Sequence, residues 1–326
     1  METVHSCNFC HEELYRFELT AEDHYSGEKV SIVECDNCGL IFTNPRPSKG
    51  ELSNYYPTSY YGERGIRFHP NLEKVVHYFR KKLAKRISAQ YPEGGRILEI
   101  GTGRGTLLAE MSSNGWETFG TEYSDSLAES VENEFNIRIY PTPNLEDCDL
   151  PDKFFDVIVC YHVLEHLPDP SGTLYEVKRI LRDSGSLIIA VPNIDGSIAK
   201  ISKEYWFALD VPRHLFHFTP ETLSNMLEKT GFKNNYKSTL SLEQDIFGFA
   251  QSILNLIGFP FNAFYDFIRS PSAKLRHHAT KEINFINILI FTILILLGIV
   301  LCIIGTPIAI INGKIGKGGT IELWAQ

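Results

Sequence analysis

The chain has 326 residues, of which 43% are hydrophobic and 22% charged, so it holds either one large domain with appendages or two domains. Its formal net charge of −9 argues against a nucleic-acid backbone as the main partner, because phosphates attract basic faces. The 7 cysteines are few and grouped, and the N-terminus lacks the basic and apolar regions of a signal peptide, so a reducing cytoplasm is expected.

Four cysteines near the N-terminus form two C-x-x-C pairs, Cys7 with Cys10 and Cys35 with Cys38. Each pair places two thiolates on one side of a tight turn, and two such knuckles make the tetrahedral four-thiolate site that suits Zn²⁺. The residues between the pairs alternate as in a short β-hairpin. We therefore predict a zinc ribbon over residues 1–44, in preference to free or redox thiols. Four cysteine ligands leave no open position, so the metal is expected to be structural.

A linker rich in Pro, Gly, Ser and Tyr is predicted over residues 45–70, followed by a helix whose sequence reads LEKVVHYFRKKLAKRIS. An apolar strand then ends in a glycine turn at residues 97–106, ILEIGTGRGT. Gly101, Gly103 and Gly105 remove the Cβ atoms that would keep a ligand from the backbone. The spacing differs from the dinucleotide fingerprint G-x-G-x-x-G. Taken alone, it fits either a ligand-binding turn or a tight strand-to-helix connection.

Three later segments strengthen the ligand interpretation. Glu122 follows a second strand-like segment about twenty residues on, where a carboxylate accepts hydrogen bonds from a ribose diol, although it would also suit a surface position. Residues 154–170 read FFDVIVCYHVLEHLPDP, a buried strand followed by a polar loop. Residues 180–193 read ILRDSGSLIIAVPN, which predicts a helix end, a turn and another buried strand.

In this order, the segments from about residue 72 to 232 resemble the class I S-adenosylmethionine (SAM) methyltransferases, in the branch with an H-V-L-E-H-L-x-D-P loop related to ubiquinone-type O-methyltransferases. The resemblance implies a Rossmann-like α/β fold with a seven-stranded sheet and SAM as cofactor. It also implies that the helix over residues 72–88 covers the cofactor cleft, although its basic face is equally explained by contact with solvent. The implied cofactor-binding residues are Glu99, Gly101, Gly103, Gly105, Glu122, Asn144, Leu145 and His162. The acidic residue usual near Asn144 is replaced or shifted here.

The loop after the FDVIVC strand supplies the first catalytic candidates, Glu165 and His166. A histidine there can accept a proton near neutral pH. In ubiquinone-type relatives this loop also binds a divalent cation, but His162 stands where an acidic residue would be expected, which argues against that version. The alternative is that Glu165 holds the loop while His166 packs.

A second polar cluster lies in residues 206–223, WFALDVPRHLFHFTPETL, before a capped helix. Trp206, Asp210 and Arg213 are interpreted as an acceptor pocket, although a buried structural role would explain any one of them. His214 and His217 are further candidates for the general base, and the sequence does not decide between them and His166.

Residues 285–311 are almost continuously apolar, and the first twenty or so would span a bilayer as a helix. The basic residues before this segment indicate a cytoplasmic start: Arg269, Lys274, Arg276 and Lys281. The final TIELWAQ resembles the antiparallel last strand of the family sheet. If it rejoins the sheet, the apolar segment is an insertion between the sixth and seventh strands. We then expect a monotopic hairpin broken at residues 305–307, with residues 252–268 as an interfacial companion, rather than a single span.

The predicted domains are a ribbon (1–44), a linker (45–70), the methyltransferase core (71–250), a membrane-associated helical segment (251–315) and the last strand (316–326). The sequence thus predicts a membrane-attached SAM-dependent methyltransferase facing the cytoplasm. Its expected acceptor is a hydroxyl of a lipid-linked, glycan or other membrane-proximal small molecule. The alternatives are a non-catalytic SAM-fold scaffold and, as a weaker one, a nicotinamide-dependent oxidoreductase. Neither the acceptor nor the oligomeric state follows from the sequence.

Overall fold

A computed structural model describes residues 1–56, 70–142, 144–269 and 285–326. Much of the predicted linker and the basic residues Lys274, Arg276 and Lys281 lie outside the described residues. The described strands, in chain order, are β1 (Tyr15–Glu22), β2 (Lys29–Cys35), β3 (Ile41–Asn44), β4 (Arg96–Ile100), β5 (Glu117–Thr121), β6 (Arg138–Tyr140), β7 (Phe155–Tyr161), β8 (Leu181–Pro192), β9 (Phe216–His217), β10 (Asn234–Ser238) and β11 (Thr320–Ala325). The described α-helices are α1 (Pro70–Gln90), α2 (Thr106–Ser113), α3 (Asp125–Phe135), α4 (Pro170–Ile180), α5 (Ser197–Ser202), α6 (Pro220–Lys229), α7 (Leu242–Leu256), α8 (Ala263–Arg269) and α9 (Phe285–Lys314).

The chain divides into two compact units, each built from separate stretches of sequence. The first unit comprises Met1–Leu72, Pro192–Thr219 and Thr239–Thr320. The second comprises Glu73–Val191, Pro220–Ser238 and Ile321–Gln326.

The second unit is organised around a seven-stranded mixed sheet with the order β10-β11-β8-β7-β4-β5-β6. Strands β4 to β8 pair in parallel, whereas β11 pairs antiparallel with β10, with Lys237 opposite Leu323. This arrangement confirms the predicted Rossmann-like sheet, including the return of the last strand. All 6 residues of β11 are buried, as expected for a strand that lies between two others.

Strands of this sheet are apolar because helices cover them. Val157, Ile158, Val159 and Cys160 in β7 are all buried, giving a continuous run rather than an alternating pattern. One core cluster joins residues of β4, β7 and β8 to helices α1, α2 and α3; it includes Leu83, Ile87, Ile97, Leu107, Leu108, Met111, Val131, Val157, Val159 and Ile188. This packing holds the carboxyl ends of β4, β5 and β7 together.

The first unit contains a four-stranded antiparallel sheet with the order β1-β2-β3-β9. Strands β1 and β2 form the predicted hairpin, with Tyr15 opposite Cys35 and Glu22 opposite Lys29. The fourth strand comes from far along the chain, since Phe216 pairs with Phe42. The N-terminal sheet is thus completed by a strand that lies within the predicted acceptor segment, residues 206–223.

Helix α9 is long and apolar enough, by length and composition, to cross a membrane between Leu289 and Lys314. It is continuous through Pro307, so the predicted break at residues 305–307 is wrong. A proline inside a helix removes one N–H donor and its ring crowds the preceding turn, but a helix in apolar surroundings can continue through it. The hydroxyl of Thr306, the residue before this proline, donates to the carbonyl of Cys302 at 3.0 Å.

Candidate functional site

The glycine turn at the end of β4 has a backbone that only glycine adopts readily. The φ angles of Gly101, Gly103 and Gly105 are 69°, 56° and 67°. A Cβ on Gly101 would lie 2.4 Å from a methyl carbon of Val163, whereas a Cβ on Gly103 would meet nothing within 4 Å. Gly101 therefore lets the turn pack on the loop after β7. Gly103 presents a bare backbone to open space, which is what close approach of a ligand requires.

Glu122, at the end of β5, lies directly beside this turn. Its Oε2 accepts a hydrogen bond from the Gly103 N–H at 2.9 Å, and its Oε1 accepts one from the Ser124 N–H at 3.0 Å. Burial raises the pKa of Glu122, while these backbone donors oppose the shift. The carboxylate is therefore held in one orientation, with lone pairs left for further donors. The structure thus brings together the glycine turn and the acidic residue that the sequence separates by about twenty residues.

Glu99, inside β4, is a second buried carboxyl in this unit. The pKa of Glu99 is raised to about 8. Burial is the main cause, the charge of Arg80 opposes the shift, and the charge of Glu122 adds to it. Within the described residues, no hydrogen-bond partner reaches Glu99 Oε2. A buried carboxylate oxygen without a partner is costly, and a cationic ligand group would relieve that cost.

Helix α1 adds two contributions that the sequence interpretation missed. The Arg80 guanidinium lies over the ring of Tyr161, 5.0 Å from its centroid, besides acting on Glu99. Arg104, within the glycine turn, forms an ion pair with Glu73 of the same helix. The basic face of LEKVVHYFRKKLAKRIS was a usable signal, because it includes Arg80, but its partners are remote in the sequence.

The loop after β7 holds the predicted catalytic residues of this unit. His162 has a left-handed backbone with φ of 58°, and its N–H donates to the carbonyl of Ala190 at 2.8 Å. Its Nδ1 lies 3.6 Å from Oε1 of the buried Glu165, and its Nε2 has no hydrogen-bond partner in the described part of the chain. His166 ends the short 3-10 turn Leu164–His166 and is half-buried. Contact between Gly101 and Val163 places this loop against the glycine turn.

The predicted adenine contacts lie at the start of another short helical turn, Leu145–Cys148. Leu145 is buried, whereas Asn144 donates through Nδ2 to Asp147 at 2.8 Å. This hydrogen bond joins two side chains of the same turn, and a role for Asn144 in adenine binding stays a prediction.

Comparisons with known proteins agree with this geometry. A family model described as a methyltransferase domain matches residues 72–237, a little over half of the chain. The chain belongs to the methyltransferase-domain family. A ubiquinone biosynthesis O-methyltransferase of Alkalilimnicola ehrlichii is 29% identical over 136 residues, covering 40% of this chain and 52% of that protein. A protein of Mycobacterium tuberculosis named as a probable S-adenosylmethionine-dependent methyltransferase is 29% identical over 168 residues, covering 48% of this chain and 58% of that protein.

This methyltransferase thus spans about half of the length of the curated relatives it matches. A crystal structure named as a putative sarcosine dimethylglycine methyltransferase, from Galdieria sulphuraria, has a TM-score of 0.53 and 13% identity, covering 84% of this chain and 97% of that one. At that identity the likeness shows the fold alone. The family assignment identifies SAM as the cofactor of the domain, and the glycine turn of this methyltransferase fits such a ligand.

The residues predicted to bind the acceptor lie in the first unit of the methyltransferase, where two are deeply packed. Trp206 belongs to a core cluster with Ala21, Val30 and Ile32 of the β1–β2 hairpin. Arg213 is 1% exposed and is ion-paired with Asp23 and Asp210. Burial raises the pKa of Asp210, but the positive charge of Arg213 lowers it by more, so the pKa is lowered overall. These contacts describe a structural role, and acceptor binding by Trp206, Asp210 or Arg213 stays a prediction.

His214 and His217 are tied to strand β3 and its surroundings. Nδ1 of His214 lies 2.9 Å from the carbonyl oxygen of Ala208, and the His214 carbonyl accepts a hydrogen bond from the Thr43 hydroxyl at 2.8 Å. Nε2 of His217 lies 3.1 Å from that same hydroxyl. Both side chains are buried, and the Thr43 hydroxyl of β3 contacts both residues.

The four N-terminal cysteines converge. Their sulfur atoms all lie within 4.8 Å of one another, with 3.6 Å between Cys7 and Cys38 and 3.4 Å between Cys10 and Cys35. Both knuckles are built alike: the carbonyls of Cys7 and Cys35 accept hydrogen bonds from the N–H groups of His11 and Gly39, each of which has positive φ. Zn–S bonds of about 2.3 Å in a tetrahedron separate sulfurs by about 3.8 Å, so the donor set fits zinc.

Proposed function

We propose that the second unit binds SAM at the glycine turn and transfers its methyl group to a hydroxyl of a small-molecule acceptor. The observation that carries this proposal is the open backbone of Gly103, hydrogen-bonded to the buried Glu122 at the edge of a parallel sheet. Ligands of open α/β sheets bind outside the carboxyl ends of the strands, where both residues lie. The remaining lone pairs of Glu122 are suited to the ribose diol.

Glu99 complements the other end of the cofactor. Its Oε2 lacks a hydrogen-bond partner in the described structure, and its pKa is raised to about 8. A cationic ammonium brought beside it would favour the carboxylate form and supply the missing donor. We assign the α-ammonium of the methionine part of SAM to this position.

His166 is our choice for the proton acceptor. When held by Gly103, Glu122 and Glu99, SAM would supply an electrophilic methyl group on a sulfonium for transfer to the acceptor hydroxyl. The hydroxyl proton then passes to the imidazole of His166. His166 lies on the loop that packs on the glycine turn and is half-buried, whereas His214 and His217 are buried. A positioned base of this kind contributes roughly 10²–10⁴-fold in rate.

A membrane-proximal acceptor is supported by two observations. One relative is named as a ubiquinone biosynthesis O-methyltransferase, and α9 is apolar enough to associate with lipid. A hydroxyl on a lipid-linked or other membrane-held molecule fits both. The zinc ribbon is proposed as a structural element, since four cysteine ligands leave no position open for chemistry.

Calorimetric titration of the purified, zinc-loaded chain with S-adenosylhomocysteine tests the cofactor proposal. We expect binding of one equivalent. Absence of heat with both S-adenosylhomocysteine and SAM, on folded protein, contradicts it. Binding combined with no methyl transfer to any extracted lipid or quinol would instead favour the non-catalytic scaffold.

A further inference from the structure

Helix α9 has two different faces. One face packs inside the first unit, where Leu294, Gly298, Gly305 and Ala309 are buried at helical spacing. The opposite face is apolar and exposed along the whole described length of the helix, through Leu289, Ile290, Ile293, Leu296, Ile299, Val300, Ile303, Ile304 and Ile311. No charged residue occurs between Phe285 and Gly313. An exposed apolar stripe of this size indicates contact with an apolar partner.

The packed face lies close along helices α7 and α8. A Cβ on Gly298 would lie 2.6 Å from the ring of Phe264 in α8, and one on Gly305 would lie 2.8 Å from the ring of Phe249 in α7. These glycines allow the helices to approach closely. The contact continues to the C-terminal end, where a Cβ on Gly313 would lie 2.5 Å from Leu240 Cβ. From Gly298 to Gly313 is about 22 Å at 1.5 Å per residue.

The other side of α7 belongs to the polar interior of the first unit. Its Ser252 hydroxyl accepts a hydrogen bond from the Phe207 N–H at 3.0 Å, and Asn255 donates to the carbonyl of Tyr205 at 3.1 Å. Helix α7 therefore separates α9 from folded, hydrogen-bonded protein. If α9 stood upright in a bilayer, about 22 Å of that protein would have to enter the hydrocarbon beside it, at a high cost for its polar groups.

The ends of the insertion also lie together. The Thr239 hydroxyl, just after β10, donates to the carbonyl of Gly313 at 3.2 Å and accepts from the Gly318 N–H at 3.3 Å, just before β11. Positive residues lie at both ends of α9 in the sequence: Lys274, Arg276 and Lys281 precede it, Lys314 is its last residue, and Lys317 follows it. A spanning helix concentrates such charges on one side, whereas a helix in the plane of the membrane places both ends among the headgroups.

We propose that α9 lies flat on one membrane leaflet, with its exposed stripe in the acyl chains and the exposed Lys314 at its C-terminal end among anionic headgroups, and does not cross the bilayer. Leu256 and Ile257, at the end of α7, are also exposed apolar side chains of the first unit. The proposal concerns the first unit and does not depend on methyl transfer by the second.

The test measures the depth of single tryptophans along the stripe in the full chain. Leu289→Trp, Leu296→Trp, Ile303→Trp and Ile311→Trp would be bound to vesicles of phosphatidylcholine and phosphatidylglycerol that carry bromine at shallow or deep acyl positions. Residues 289 and 311 are about 33 Å apart along the helix axis, close to the ~30 Å of the hydrocarbon core. The wild-type signal, from the buried Trp116, Trp206 and Trp324, serves as background.

We expect the same ratio of shallow to deep quenching at all four positions. A ratio that shows greatest depth near residue 300 and shallow ends identifies a spanning helix and overturns the proposal. No quenching at any position overturns it too, and would assign the stripe to a protein partner or a second copy. Tyr175→Trp, exposed on α4, should stay unquenched. Binding of S-adenosylhomocysteine by the same samples reports separately on the second unit.

Discussion

Arg213 and Asp23 form a buried ion pair between residues 190 positions apart. Arg213 Nη2 lies 2.8 Å from Asp23 Oδ1, with side-chain exposures of 1% and 2%. Asp210 accepts a second hydrogen bond from the same guanidinium at 2.8 Å. Burial lowers the pKa of Arg213, but the charges of Asp210 and Asp23 raise it by more. The guanidinium therefore stays charged. The segment predicted to bind the acceptor is thereby joined to the turn of the β1–β2 hairpin.

Replacing Arg213 should reveal whether it is structural. Arg213→Met leaves two carboxylates without their buried counterion, and we expect the free energy of unfolding to fall by about 3–5 kcal/mol. Chemical denaturation measures this. Arg16→Met, in β1 of the same hairpin, removes an exposed ion pair and should change stability far less. Unchanged stability in Arg213→Met, together with a raised KM for the acceptor, would support acceptor binding instead.

Gly103→Ala is expected to abolish cofactor binding without unfolding the protein. Its Cβ would enter the space that we assign to the ligand, and none of the described residues lies within 4 Å of it. Gly115→Ala is a matched control, since Gly115 also has positive φ and no neighbour within 4 Å. Both variants bear the cost of a left-handed alanine, roughly 1 kcal/mol. Calorimetry should show at least a tenfold loss of S-adenosylhomocysteine affinity in the first variant alone. Equal affinities would place the ligand elsewhere.

Glu99 should make cofactor binding depend on pH. Its pKa is raised to about 8 by burial, so at neutral pH the free protein holds a proton that an unfolded glutamate, with a pKa of about 4.3, would have lost. If the ligand ammonium pairs with the carboxylate, that proton must leave on binding. Affinity should then rise with pH, by up to about tenfold per unit, and level off above pH 8.

Titrations in buffers of different ionisation enthalpy would measure the released proton directly. The Glu99→Gln variant has no proton to release at this position. Its affinity for the cofactor should be lower than that of the wild type and nearly constant from pH 6 to 8. Arg80 lowers the pKa of Glu99, whereas Glu122 raises it. Arg80→Met should therefore move the midpoint of the affinity-against-pH curve to higher pH. A wild-type profile that is flat over this range would show that the ammonium does not pair with Glu99.

Zinc removal should unfold the N-terminal sheet. Structural zinc supplies about 10–16 kcal/mol of apparent binding free energy in small domains, and β2 ends at a ligand, Cys35. We expect one zinc per chain, and Cys35→Ser or a strong chelator should remove it and lower the melting temperature. Cys302→Ser alters a cysteine of α9, outside the cluster, and should keep the metal. A Cys35→Ser protein with full zinc content and unchanged melting would refute the site.

The strands and the glycine turn of the candidate cofactor site could be predicted because their signals are local. An apolar run such as FDVIVC becomes a buried strand, and alternate glycines such as Gly101 and Gly103 permit a left-handed turn, whatever lies far away in the chain. The contributions of Arg80 and Glu73 could not be predicted, since Tyr161 and Arg104 reach them only after the sheet and α1 have packed. The roles assigned to the individual site residues stay predictions.

By itself, the sequence determined the order of strands and turns, the four cysteines of the ribbon and the apolar character of α9, because each depends on residues within a few positions of one another. Only the tertiary structure decided that Arg213 pairs with Asp23 and that Trp206 packs among the strands of the hairpin. It also decided that α9 continues through Pro307 while one face stays covered by Phe249 and Phe264. Burial, ion pairing and close packing depend on segments that meet in space, and their sequence separation conceals them.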